Sequence, residues 1–145
     1  MLDLVVVAIG GAIGSVSRYL IGNFIAKNYH GSFPIGTFAI NILGCFLMGM
    51  FMSSLIQKEM VDTTWRLFLC VGLLGGFTTF SSFGYEAITM LTQGKTMMAG
   101  MYAGCSVVAG LFAAKTALSI KIFGNWKKLN PVNTKQCAIL KYKLN

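Results

Sequence analysis

The chain has 145 residues, of which 55% are hydrophobic and only 11% are charged. Soluble domains are about one quarter charged, so this composition excludes an ordinary soluble domain and indicates a membrane protein. The formal net charge is +8, but five of the twelve Lys and Arg lie in the last 19 residues, and no basic face interleaved with aromatic side chains indicates a nucleic-acid partner.

Four segments are long and apolar enough to cross a bilayer, since a spanning helix needs roughly 20 mainly apolar residues. In chain order they cover residues 4–26, 35–56, 67–91 and 97–123. We therefore predict an all-α membrane protein with four transmembrane helices. Residues 1–124 form its transmembrane domain, and residues 125–145 form a basic, polar tail that is disordered or surface-bound.

The distribution of positive charge along the chain bears on the orientation of the protein in the membrane. With four spans, Lys58, Arg66 and the tail lie on one side of the membrane, and Lys27 and Lys95 lie on the other. The positive-inside rule then places both termini in the cytoplasm. Without the tail the two sides are nearly balanced, so such a core could insert in both orientations and form an antiparallel dimer.

The first span contains Gly10 and Gly14, whose GxxxG spacing lets helices approach closely in lipid. Arg18 lies near the end of this span. A charge at a helix centre costs ~2.5–3.5 kcal/mol on insertion scales. Arg18 therefore either snorkels to the interface or faces a vestibule or an internal partner.

The second span contains Asn41 deep within the apolar run, with Thr37 one turn earlier on the same face. An amide at this depth needs a partner or water. A hydrogen bond between two helices would satisfy it, and so would a polar stripe formed with Thr37.

The third span contains the sequence GLLGGFTTFSSFGYE at residues 72–86. Gly72, Gly75 and Gly76 weaken the helix, and the β-branched Thr78 and Thr79 weaken it further. Non-helical backbone at membrane depth is tolerated only where it is buried in protein or lines a cavity, and freed carbonyls can bind a cation. Packing alone explains the glycines but explains the TTFSSF cluster poorly.

The fourth span contains a second GxxxG, formed by Gly100 and Gly104, and small residues continue it toward the C-terminus. Ser106 could bond the carbonyl four residues earlier on its own helix. Tyr102 lies one turn before Ser106 on the same face.

The signs of the intramembrane charges favour an anion. Glu86 ends the polar section of the third span and could pair with Arg18 or Lys115, or face water, whereas the other spans hold no carboxylate beyond Asp3 at the entry edge. Neutral donors and Phe ring edges, which are electrostatically positive, suit a small-anion pathway. No nucleophile and base are grouped around the single histidine, so we predict that the protein is not an enzyme.

Three segments carry a family resemblance: GGAIGSVSRY at 10–19, PIGTFAINILGCFLMG at 34–49 and GLLGGFTTFSSF at 72–83. In order, spacing and layout they are similar to the Fluc/CrcB family of fluoride channels, over roughly residues 5–123. The resemblance implies an antiparallel, dual-topology homodimer in the plasma membrane, with a third helix broken mid-membrane. It also implies two fluoride pores per dimer and one structural sodium ion at the centre, without an organic cofactor.

The resemblance also implies roles for residues at the family's motif positions. Gly75 and Thr78 would hold sodium through backbone carbonyls, Phe80 and Phe83 would line the pores, and Arg18 would lie at the vestibule. The remaining pore positions that it implies are Asn41, Thr37, Thr79, Glu86, Tyr102 and Ser106. Ser15, Ser82, Gly110 and the lysine-rich tail depart from the usual family pattern.

The expected function is passive, selective conduction of fluoride out of the cytoplasm, which would relieve fluoride toxicity. One alternative is a four-helix secondary transporter of the small multidrug-exporter type, although such proteins depend on a carboxylate in the first span, which this chain lacks. Another is a non-conducting membrane scaffold built on glycine-rich packing.

Overall fold

The computed structural model describes residues 1–57 and 63–129, with side chains described over 1–53 and 63–120. In these residues the chain is helical. The elements are α1 (Leu2–Asn28), α2 (Ile35–Gln57), α3 (Thr63–Arg66), a π-helix (Leu67–Leu74), α4 (Gly75–Phe77), α5 (Phe80–Thr92) and α6 (Thr96–Leu129).

Four helical segments are long and apolar enough to cross a membrane: Leu2–Asn28, Ile35–Ser53, Thr63–Thr92 and Thr96–Ile120. The prediction of an all-α protein with four spans is thereby confirmed. The third span is composite, because it joins α3, the π-helix, α4 and α5. The helix α6 continues to Leu129, into the segment that the sequence assigns to the tail, while Lys58 and residues 130–145 lie outside the described residues.

Two short loops, one before α2 and one between α5 and α6, join consecutive helices. Pro34 immediately precedes α2 and offers its carbonyl to the amide of Phe38 at 3.1 Å. Between α5 and α6, Gly94 has φ 74°, a left-handed conformation that favours glycine. The amide of Lys95 then donates to the Met90 carbonyl at 2.9 Å, as in a Schellman C-cap.

Close backbone packing joins α1 to the first half of the third span. A Cβ atom on Gly10 would lie 2.6 Å from the carbonyl oxygen of Phe68. A Cβ on Gly14 would overlap the Leu73 carbonyl oxygen and lie 2.8 Å from the amide nitrogen of Phe77. The GxxxG of the first span therefore packs within the chain, because only glycine leaves room for this approach.

The third span contributes glycines to the same contact. A Cβ on Gly72 would lie 2.9 Å from the Val7 carbonyl oxygen, and one on Gly76 would lie 2.5 Å from the Gly11 carbonyl oxygen. These glycines lie in and just after the π-helix, whose wider turn changes the phase of the helix before residue 75. The sequence reading treated the same glycines as helix-weakening and did not foresee the π-helix.

The contact between α2 and α6 also depends on small residues. Gly49 lies directly against the backbone of Ala114, and Gly110, one turn before Ala114, is buried. In contrast, a Cβ on Gly100 or Gly104 would meet no atom within 4 Å. The second GxxxG therefore makes no close packing contact within the described chain, unlike the GxxxG of the first span.

A small aromatic core lies where α5 and α6 meet. Its buried members are Met90, Ala99 and Tyr102, and Phe33, Phe38, Phe83, Ala87 and Met98 pack against them. Outside this core, many large apolar side chains are exposed on the outer faces of the spans, among them Leu20, Phe24, Leu111 and Phe112. Such faces suit lipid or a second protein surface.

Candidate functional site

The polar site is built around two residues with extended backbone, Thr78 and Thr79, which we call the extended pair. Thr78 has φ −79° and ψ 158°, and Thr79 has φ −148° and ψ 118°. They separate α4 from α5 within the third span. The amide of Thr78 still donates to the Leu74 carbonyl at 3.0 Å, but the amide of Thr79 and the carbonyls of both residues need partners outside the helix.

Asn41 supplies two of these partners. Its Oδ1 accepts from the amide of Thr79 at 2.9 Å, and its Nδ2 donates to the Thr79 carbonyl at 3.0 Å. A side-chain amide can make this paired contact because it offers an acceptor and a donor side by side. The half-buried amide of Asn41 thus bonds to backbone of the third span, one of the two possibilities left open by the sequence.

The hydroxyl of Thr79 begins the helix that follows. It accepts from the amide of Ser82 at 3.2 Å and donates to the Ser82 hydroxyl at 3.0 Å. The hydroxyl of Ser81 lies 3.3 Å away. Thr79 is therefore the N-cap of α5, the position at which a threonine oxygen satisfies an otherwise free amide.

Arg18 reaches the extended pair from α1. Its Nη1 donates to the Thr78 carbonyl at 3.3 Å, and the side chain is half-buried. Arg18 therefore directs a cation from within α1 to non-helical backbone of another span. Of the alternatives for Arg18, the structure favours an internal partner over simple snorkelling to the interface.

Glu86 has two hydroxyl partners. Thr37 donates to Oε1 at 2.6 Å, and Tyr102 donates to Oε2 at 2.7 Å. The sequence left Glu86 to pair with Arg18 or Lys115 or to face water, and in the structure its two carboxylate oxygens accept from hydroxyls on α2 and α6. Hydrogen bonds to an ionised group are the stronger kind, so this arrangement ties α2, α5 and α6 together.

The aromatic rings form a continuous row beside these polar groups. The ring centroids of Phe80 and Phe83 are 5.6 Å apart, and those of Phe83 and Tyr102 are 5.1 Å apart. Phe33 meets the other side of Tyr102, with ring centroids 5.4 Å apart and planes at 87°. Phe80, at the free end of the row, is 84% exposed.

Ser106 on α6 carries a buried hydroxyl. Its Oγ has no hydrogen-bond partner in the described part of the chain, so the possible bond to the carbonyl four residues earlier is not formed. Tyr102, one turn earlier, is fully buried. A buried hydroxyl without a partner costs about 1–3 kcal/mol, which makes Ser106 a donor available to a guest.

An open cavity of about 350 Å³ lies between the end of α1, the loop before α2, and α5. Polar groups from three spans meet there. Its polar lining includes Arg18, Thr37, Thr79, Ser82 and Glu86. One guanidinium, several hydroxyls and a carboxylate already occupied by donors give this cavity the chemistry to receive a small anion.

The structure brings most of the predicted site residues into two connected groups. Arg18, Asn41, Thr78 and Thr79 meet at the extended pair, and Thr37, Glu86, Tyr102 and the phenylalanines meet at the α5–α6 end. Gly75, the first residue of α4, is exposed and lies three residues before Thr78. Ser106 follows Tyr102 along α6.

The roles of three residues were not predicted from the sequence. The hydroxyls of Ser81 and Ser82 take part in the cap of α5, which the spacing T-x-x-S at 79–82 could have revealed. Phe33, in the loop before α2, packs on Tyr102. No local pattern indicates the role of Phe33, because its partner lies 69 positions later in the chain.

Comparison with known proteins gives a consistent result. Residues 5–118 match a family model described as CrcB-like protein, Camphor Resistance (CrcB). A protein of Rhizobium etli named fluoride-specific ion channel FluC is 40% identical over 120 residues, which cover 83% of this chain and 96% of that relative. Proteins of the same name from Anaeromyxobacter sp. and Clostridium perfringens are 41% and 40% identical, and each match covers 81% of this chain.

Proposed function

The chain belongs to the CrcB-like family, and we propose from this membership that it is a passive, fluoride-selective ion channel through which fluoride leaves the cytoplasm. The observation that carries the proposal is the meeting of Asn41, the extended pair and the phenylalanine row beside an Arg18-lined cavity. These residues all lie within the matched segment 5–118.

Family membership and the four spanning helices also confirm two broader predictions. The protein is a multi-pass protein of the plasma membrane, and it is a channel-family member rather than an enzyme. Its partners are therefore the bilayer and, under this proposal, the fluoride ion.

The proposed route begins at the cavity. Arg18 is its cationic lining residue, so its positive charge would draw an anion toward the extended pair. The guanidinium of Arg18 also donates a hydrogen bond to the Thr78 carbonyl, and this competing contact limits how tightly Arg18 can hold the ion. A conducting pore needs this balance, because binding must replace hydration and yet be weak enough for release.

Phe80 and Phe83 would line the next section of the route. Ring edges are electrostatically positive, so two neighbouring rings can contact an anion without a formal charge. The hydroxyl of Ser106 would provide a donor further along α6, since its oxygen has no partner within the described residues. Glu86 would be tolerated beside this path because two hydroxyl donors already face its oxygens.

We further propose that the pores are completed by a second, antiparallel copy. Phe80 is 84% exposed, and a Cβ on Gly100 or Gly104 would meet no atom of another element within 4 Å, so one chain leaves a proposed pore residue and a close-packing motif uncovered. A homodimer with two pores would cover both. Size-exclusion chromatography with light scattering tests this, and a monomer in detergent and in nanodiscs would contradict it.

A dual-topology pair requires the chain to insert in both orientations. The basic tail would bias insertion, because positive segments stay in the cytoplasm. Labelling of Cys137, in the tail sequence, by an impermeant thiol reagent measures the outcome. Reaction of about half the chains on intact cells supports dual topology, whereas protection of all of them would mean a fixed orientation.

The proposed sodium ion would be held by the carbonyls of Gly75 and Thr78, and the described residues fit that chemistry in part. The amide that an uninterrupted helix would direct to Gly75 donates instead to Asn41, which releases that carbonyl. The Thr78 carbonyl accepts from Arg18 at 3.3 Å but has a second lone pair. When bound, sodium would interact with the partial negative charges of the carbonyls at the break and hold them in place, and we propose that the break lies mid-membrane.

The sodium proposal has a readout that does not depend on flux. If the ion is structural, the purified protein should melt at a higher temperature in sodium chloride than in the chloride of a large organic cation at equal ionic strength. Equal melting temperatures in both salts would contradict a structural sodium ion while leaving the channel proposal standing.

The channel proposal is tested with the purified protein in liposomes. A fluoride electrode should record rapid efflux down the ion gradient, and a chloride electrode should record little under the same conditions. Phe80→Ile or Phe83→Ile should reduce the fluoride rate sharply because the ring edge is lost while the volume is nearly kept. Phe112→Ile, on the exposed face of α6, is the matched control. Equal chloride efflux, or no fluoride efflux, would overturn the proposal.

A further inference from the structure

The loop before α2 places one aromatic ring against the polar group at the α5–α6 end. Phe33 is half-buried and makes a T-shaped contact with Tyr102, with ring centroids 5.4 Å apart. It also packs on Phe38 at 5.7 Å. Phe33 is held in place by its own backbone, whose carbonyl accepts from the amide of Ile35 at 2.8 Å.

The two sides of Phe33 have different surroundings. One side joins the aromatic core, in which Tyr102 is fully buried. The other side lines the 350 Å³ cavity, together with Thr37 and Glu86. Tyr102 does not line that cavity although its hydroxyl bonds to Glu86 at 2.7 Å, so Phe33 is part of the wall between the cavity and the tyrosine.

We propose that Phe33 is a positioning residue for the ion pathway: its ring holds Tyr102 on Glu86 and keeps water of the cavity away from that hydrogen bond. The inference rests on the proposed channel function. Phe33 has no polar atom in its side chain to offer to Glu86, so its influence on the carboxylate acts through Tyr102 and through access of water.

The hydrogen bond from Tyr102 to Glu86 affects the electrostatic potential that an anion meets in the cavity. With both hydroxyls in place, each oxygen of Glu86 accepts a short hydrogen bond, and the negative charge is partly compensated. If Tyr102 is released, Oε2 loses its donor, and the carboxylate presents more negative potential to the cavity. Loss of the Phe33 ring should therefore slow the passage of fluoride by repulsion.

The decisive experiment measures fluoride efflux from liposomes for single and double variants of the full chain. Phe33→Ala should reduce the rate about tenfold, the size of effect expected for coupled network residues. Phe33→Tyr, which keeps the ring, should restore the rate to within about twofold of the original protein. Loss of the rate in Phe33→Tyr as well would contradict positioning by the ring.

The double variant separates positioning from general packing. In a Glu86→Gln background the neutral side chain no longer repels fluoride, so adding Phe33→Ala should change the rate little further. Phe38→Ala removes an equal ring from the same cluster and is the matched control, expected to act additively with Glu86→Gln. The inference would be overturned if Phe33→Ala lowered the fluoride rate as much in the Glu86→Gln background as in the original protein. It would also be overturned if Phe38→Ala showed the same dependence on Glu86 as Phe33→Ala.

A second readout does not require conduction. With 3-fluorotyrosine incorporated, the ¹⁹F signal assigned to Tyr102 by a Tyr102→Phe variant should shift toward its solvent-exposed value in Phe33→Ala and stay in place in Phe38→Ala. An unmoved signal in Phe33→Ala overturns the inference. Absence of fluoride efflux from the original protein would instead overturn the channel proposal, and the ¹⁹F result would still decide the role of Phe33.

Discussion

The two halves of the third span, residues 63–77 before the extended pair and Phe80–Thr92 after it, are held in the molecule by different kinds of contact. The first half lies against α1 through backbone-to-backbone contacts at Gly10, Gly14 and Gly72. The second half is attached by the aromatic core around Met90 and Tyr102 and by side-chain hydrogen bonds, since Glu86 on α5 accepts from α2 and α6. Glycines specify the first half, and polar side chains specify the second.

The difference has a physical basis in the membrane. Lipid tails are as apolar as leucine, so helices in a bilayer gain from close contact and from polar pairing rather than from burial of apolar surface. Close backbone contact fixes the position of a helix but supplies no hydrogen-bond donor to an ion. Polar pairing fixes position and also brings donors together, so the half that conducts under our proposal is the polar one.

The extended pair connects the glycine-packed half of the third span to the polar half. Its Thr78 carbonyl accepts from Arg18 on α1, and Thr79 is paired at both backbone groups with Asn41 on α2. Substitutions in the glycine half should therefore destroy the fold, substitutions at the extended pair should affect fold and function together, and substitutions in the polar half should affect function more than fold.

The largest effect is expected at Gly14. Gly14→Ala would place a Cβ where the Leu73 carbonyl oxygen lies, and neither backbone can move without separating α1 from the third span. The overlap is between two backbones, which cannot repack as side chains do, so the cost should exceed the ~1–3 kcal/mol usual for overpacking, and the yield of folded protein should fall sharply. The yield of monodisperse protein in detergent measures this. Gly104→Ala, with no atom within 4 Å, is the control, and equal yields would refute the close-packing account.

An intermediate effect is expected at Asn41. Asn41→Ala leaves the amide and the carbonyl of Thr79 without their partners, and each buried unsatisfied group costs about 1–3 kcal/mol. The melting temperature should fall, and fluoride efflux should fall at least ~tenfold because the extended pair loses its support. Asn28→Ala, which removes only an exposed bond to the Phe24 carbonyl, should change neither. Unchanged efflux in Asn41→Ala would show that the pair is held by other contacts.

The smallest effect is expected at Thr37. Thr37→Val removes one donor to Glu86 and leaves the bond from Tyr102, so the carboxylate keeps half of its support. Fluoride efflux should fall a few-fold, and the melting temperature should change by the equivalent of ~1 kcal/mol. Thr89→Val, which removes a hydroxyl bond within α5 at an exposed site, is the control. A larger loss of stability than of efflux would reverse the assignment of function to the polar half.

Much of the candidate site could be predicted from the sequence as a set of residues. Asn41, Thr79 and Glu86 stand out because polar groups are rare and costly within apolar spans. Their partners could not be predicted in the same way. Glu86 pairs with the hydroxyls of Thr37 and Tyr102 rather than with a cation, since partner choice depends on how three helices cross and not on charge alone.

The sequence by itself determined the four spans and the positions of the costly polar groups, because hydropathy is a local sum over neighbouring residues. Only the tertiary structure decided which GxxxG packs within the chain, where the π-helix lies, and that Phe33 meets Tyr102. These features depend on contacts between residues far apart in the chain. In lipid such contacts are set by the shape and polar pairing of the helix faces, which no local pattern encodes.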